Sequence, residues 1–141
     1  MRVDGKYILG TVEEVAKYIA EQSFEFDDNG NAVNTKQGNF KDFDFAIAEG
    51  IIEGVNEPLN EIKNNSSGWS GIKHIVTGFD NYYSIDLFGD YYSGGSGVYR
   101  NTSEDFGQQN MVETILEMII EITENSGEII NKNTLIIAEI L

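Results

Sequence analysis

The chain contains no cysteine, which excludes a disulfide framework, a thiolate metal site and a thiol nucleophile, and suits a reducing cytoplasm. It has one histidine, His74, so zinc binding or acid–base chemistry built on several imidazoles has little to draw on, and His74 reads as a structural or surface residue. Basic residues are scarce: nine Lys and Arg stand against 24 Asp and Glu, a formal charge of −15. A field of that sign repels phosphates and anionic lipid, which argues against direct binding of nucleic acid or of a membrane surface. No apolar stretch approaches the ~20 residues that span a bilayer. The opening MRVDGKYILG also lacks the apolar run of a signal peptide, so a cytoplasmic, unprocessed protein is expected.

What is present is enough for a core. Of 141 residues, 40% are hydrophobic and 11% aromatic, so the charge excess does not imply disorder. A chain of this length fits one domain that buries roughly two thirds of its unfolded surface. The expected fold is α+β, with an antiparallel sheet of three to five strands packed against two or three helices.

Local signals place the elements. Tyr7 to Leu9 reads as a short edge strand. Thr11 and Glu14 form a capping box, and Val12, Val15, Ala16 and Ile19 then recur at helical spacing to about Gln22. Phe24 and Phe26 alternate ahead of Asn29-Gly30, a tight-turn pair, which predicts a hairpin returning through Ala32 and Val33. Glu25, Asp27, Asn29 and Gly30 fall at four positions of a calcium-binding EF-hand loop, but Glu25 stands where Asp is usual and Lys36 where the bidentate Glu is required. From Asp42 or Asp44 a helical stripe of Ile47, Ile51, Val55, Leu59 and Ile62 is expected, with Pro58, the only proline, either kinking it or dividing it into two helices that meet near Asn56.

Residues 69–100 read as sheet. Ile72 to Phe79 and Tyr82 to Phe88 are predicted strands joined at Asp80-Asn81. In the second, Tyr83, Ile85 and Leu87 share one face, while Tyr82, Ser84, Asp86 and Phe88 share the other. Ser93-Gly94-Gly95-Ser96-Gly97 is expected to be a mobile loop. Asn110 to about Glu124 is the expected core helix, ended by Ser126-Gly127, and the apolar run from Leu135 should pack against the domain.

No catalytic motif emerges. The glycine-rich loop lacks the Lys-Ser/Thr of a phosphate loop, no Gly-x-Ser-x-Gly elbow is complete, and no carboxylate pair is singled out for glycoside hydrolysis. No cofactor is called for. Two rows of acids stand out instead: Glu49, Glu53, Glu57 and Glu61, and Glu113, Glu117 and Glu121, each repeating every fourth residue. Like charges at that spacing repel by roughly 0.2–0.5 kcal/mol per pair when exposed. Helical patterning alone also produces such a solvated face. Between Trp69 and Tyr99 the chain concentrates aromatic residues, among them Tyr82, Tyr91 and Tyr92, with Asp86 and Asp90 beside them. Tyr and Trp are favoured where proteins meet.

Small size, acidity, clustered aromatics and absent catalytic motifs together suggest a stoichiometric inhibitor rather than an enzyme. Its concrete form is an immunity protein that occludes a basic bacterial toxin domain such as a nuclease. Glu49, Glu53, Glu57, Tyr82, Asp86, Asp90, Tyr91 and Tyr92 are the expected contact residues. A phage-encoded antagonist that mimics nucleic acid toward a host defence protein predicts nearly the same surface. A small-ligand-binding protein would instead use the aromatic strands, with Tyr83 and Trp69, as a pocket under a glycine-rich lid. An assembly subunit would self-associate through the aromatic sheet, and the oligomeric state stays open.

Overall fold

Short-range chemistry sets the two helices. At Thr11 the hydroxyl accepts the Glu14 N–H at 3.1 Å and the Glu14 carboxylate accepts the Thr11 N–H at 3.0 Å, so two of the four orphan donors at the helix start are satisfied reciprocally. Helix α1, Val12–Ser23, follows and buries Val12, Val15, Ala16, Ile19 and Ala20. Helix α2, Met111–Asn125, is capped by Asn110, whose side-chain oxygen accepts the Val112 N–H at 2.9 Å. It ends in a Schellman motif. The Glu128 N–H reaches the Thr123 carbonyl and the Gly127 N–H reaches that of Glu124, with Gly127 at φ +89°, a conformation a Cβ would oppose.

In this computed structural model the described residues are 1–4, 7–36, 42–47, 83–94, 97–101 and 110–140. Nine strands accompany the helices among them. They are β1 (Arg2–Asp4), β2 (Tyr7–Thr11), β3 (Phe24–Phe26), β4 (Ala32–Thr35), β5 (Asp42–Ile47), β6 (Tyr83–Asp86), β7 (Phe88–Gly94), β8 (Gly97–Asn101) and β9 (Leu135–Ile140). Seven form one sheet in the order β1-β2-β9-β5-β6-β8-β7, and β3-β4 is a separate hairpin. The run β1-β2-β9-β5-β6 is antiparallel throughout, where three to five strands were expected. Beyond it β6 pairs parallel with β8, and β8 pairs antiparallel with β7, which extends the sheet. The α+β class with an antiparallel sheet against helices therefore holds.

Alternation decides which sheet face meets the helices. Ile8, Phe43, Phe45, Tyr83, Ile85, Ile136, Ala138 and Ile140 point to the helical side and join Val15, Ile19, Ile115, Ile119 and Ile122 in one buried cluster. Phe45 anchors it, with the Tyr83 ring 5.2 Å away and the Phe43 ring 6.2 Å away. Helix α1 lies over β2 and β9, α2 over β6, β7 and β8, and the helices pack on each other. The opposite face is also closed along one row, for Leu9, Ala46 and Ile137 are buried there.

Three expectations change. The strand at Tyr7 is not an edge, because Arg2–Asp4 pairs on its outer side and β9 on its inner side. Asp42 and Asp44 do not cap a helix: the two-residue alternation of Phe43 and Phe45 prevails over the four-residue spacing that begins at Ile47, and β5 lies between β9 and β6. The rest of that helical stripe, from residue 48 on, lies outside the described residues, as does the strand expected at 72–79. Ser93, Gly94 and Gly97 of the segment expected to be a mobile loop are strand residues, since the β7–β8 ladder continues to the Gly94–Gly97 pair; Gly95 and Ser96 lie outside the described residues. The hairpin expected at Phe24 to Val33 is present, with Glu25 to Gly30 running from β3 into its turn. The Asp27 carboxylate accepts the N–H groups of Asn29 and Asn31, and Gly30 turns at φ +80°.

Candidate functional site

The outer surface of the helical layer is dominated by acidic side chains among the described residues. Because α2 turns Ile115, Leu116, Ile119 and Ile122 inward, its remaining arc carries Glu113, Glu117, Glu121 and Glu124, all exposed, and the helix contains no Lys or Arg. At 1.5 Å of rise per residue, Glu113, Glu117 and Glu121 follow one another at steps of about 6 Å along the helix axis, on one slowly turning face. Helix α1 adds exposed Glu13, Glu14 and Glu21 against Lys17 alone. Two of these acids are engaged. Glu14 closes the capping box and meets the terminal amine of Met1 at 3.3 Å, while Glu13 faces Lys132 at 3.8 Å. Among the described residues Glu113, Glu117 and Glu124 have no ion-pair partner.

The Glu14 carboxyl is held below its ordinary pKa, chiefly by the Thr11 backbone N–H, with the Met1 amine and the Thr11 hydroxyl helping and partial burial opposing. On α2 Glu113 suits the first turn, but the other acids are placed unfavourably. Acids near a helix C-terminus oppose the macrodipole by about 0.3–1 kcal/mol each at low ionic strength, and Glu121 and Glu124 stand in the last turns. The successive four-residue spacings add like-charge repulsion.

A second acidic group lies on the sheet face turned away from the helices. Asp86, one of the expected contact residues, is half-buried on β6 directly opposite Asp42 of β5. One step along the same face Asp44 stands between Ser84 and Glu139, and the Ser84 hydroxyl donates to the Asp44 carboxylate at 2.7 Å. The ladder thus brings together Asp42, Asp44, Asp86 and Glu139, with Glu139 only 6% exposed. Asp42, Asp44 and Glu139 went unnoticed as neighbours of Asp86 in the sequence. The Asp-Phe-Asp-Phe alternation at 42–45 was the signal that could have placed two of them on one strand face.

The remaining expected residues fare differently. Glu49, Glu53, Glu57 and Tyr82 lie outside the described residues, as do Trp69 and His74. Asp90, Tyr91 and Tyr92 lie on β7, the outermost strand, where the backbone places Tyr92 opposite Tyr99 and the pairing is irregular between Phe88 and Tyr92. Tyr83 is 4% exposed in the core, and its hydroxyl donates to the Glu128 carboxylate at 2.7 Å. Burial, together with that hydrogen bond and the nearby charge of Glu128, pushes the Tyr83 phenol far above its ordinary range. An open pocket of about 310 Å³ lies beside α1, lined by Met1, Glu14, Lys17, Tyr18 and Glu21.

Among the described residues no three carboxylates or imidazoles are arranged to hold a metal ion. No described helix is long and apolar enough to cross a membrane. The chain matches no protein-family model, and no curated protein and no solved structure shows significant similarity to it.

Proposed function

We propose that the protein is a stoichiometric inhibitor that binds a basic protein through the exposed acidic surface of its helical layer. The observation that carries this reading is α2: four exposed glutamates, no basic residue within the helix, and two acids in its last turns where the dipole disfavours them. The arrangement lowers helix stability, while a row of carboxylates is well suited to steer and dock a positively charged cleft. An immunity protein that occludes a toxin nuclease is the concrete form of this proposal. The charge and the acidic row support a partner that itself binds nucleic acid, since carboxylates repeating at about every 6 Å of helix rise offer a stand-in for successive backbone phosphates. That spacing equally favours the second reading, a nucleic acid mimic directed at a host defence protein. In both readings the chain is a binder and not an enzyme, and it acts in the cytoplasm.

The test is co-purification from the native host at low and at moderate salt, in parallel for the parent chain and a Glu113→Lys, Glu117→Lys, Glu124→Lys variant. The expected result is one basic protein bound one to one by the parent, released by salt, absent from the variant, and inhibited when the two are mixed in purified form. Its own activity separates the two readings: a toxin nuclease fits immunity, a defence protein fits mimicry. A partner retained equally by the reversed variant would refute the role of α2, and a parent chain that leaves the recovered protein's activity intact would refute inhibition.

A further inference from the structure

We draw no further inference here: the strongest candidate, the carboxylate ladder of Asp42, Asp44, Asp86 and Glu139 on the sheet face turned away from the helices, is an acidic cluster beside which no second observation points to a ligand.

Discussion

Glu14 shows how much one side chain can fix. Its carboxylate accepts the Thr11 N–H and meets the Met1 amine, and because these contacts favour the ionised form its pKa falls on folding. A group of that kind adds stability above its unfolded pKa, and the gain disappears as pH falls through the lower folded value. The stability difference between the parent and Glu14→Ala, read from urea midpoints, should therefore be full at neutral pH and close as pH drops below about 4.5. Tyr83 gives the opposite sign. Its neutral phenol is favoured by burial, so its contribution is intact below the ordinary tyrosine range near pH 10 and drains away as pH rises beyond it. In an ultraviolet titration one of the seven tyrosines should stay protonated until the chain unfolds, and Tyr83→Phe should abolish that late step. The same substitution keeps the ring and loses a hydrogen bond to a charged group, which should lower stability by about 1.5–3 kcal/mol in chemical denaturation.

At the scale of elements, α2 sets stability against function. Replacing Glu117 by Lys converts its repulsion with Glu113 into a favourable pair worth about 0.2–0.5 kcal/mol, and Glu124→Lys places a cation where the dipole favours one, worth about 0.3–1 kcal/mol. The double variant should melt a few degrees higher by calorimetry while losing the partner. A lower melting temperature would show that the α2 acids make stabilising contacts. The elements legible in the sequence are those whose signals are local. The capping box at Thr11, the Asn29-Gly30 turn and the Asn110 cap with its Gly127 stop each act within a few residues of chain, and each recurs in the structure. β5 is disguised in the sequence, because Asp42 and Asp44 are good caps and Ile47 begins a convincing helical spacing. The choice was made instead by neighbours far off in sequence, since Phe43 and Phe45 find Ile140, Ala138, Ile85 and Tyr83 across the ladder. The α2 row could be read directly from its spacing. The sheet ladder could not, because its members come from three strands whose register only the folded chain reveals.

For the whole molecule the dominant quantity is the charge of −15. Self-repulsion of that size opposes the compact state, and added salt screens it: the Debye length falls from about 30 Å at 0.01 M to about 8 Å at 0.15 M. The urea midpoint of the free protein should rise over that range, while partner binding weakens over the same range, so stability and association should move in opposite directions. A midpoint unchanged by salt would show that the acids are already locally neutralised. The sheet ends also bear on how the molecule meets others. The β1 edge is only three residues long and the β7 edge is broken by an irregular register, two devices that discourage strand-to-strand addition.

The position of β9 has a consequence for synthesis. It is the last described element along the chain, yet it lies between β2 and β5 and is hydrogen-bonded to both. On the ribosome, β2 and β5 emerge long before the strand that joins them, and the half-sheet they would belong to stays open until residues 135–140 have left the exit tunnel. The nascent chain therefore cannot mature domain-half by domain-half. It closes in one late event, and until then it depends on its own negative charge, or on a chaperone, to keep the waiting strand edges apart from those of neighbouring chains.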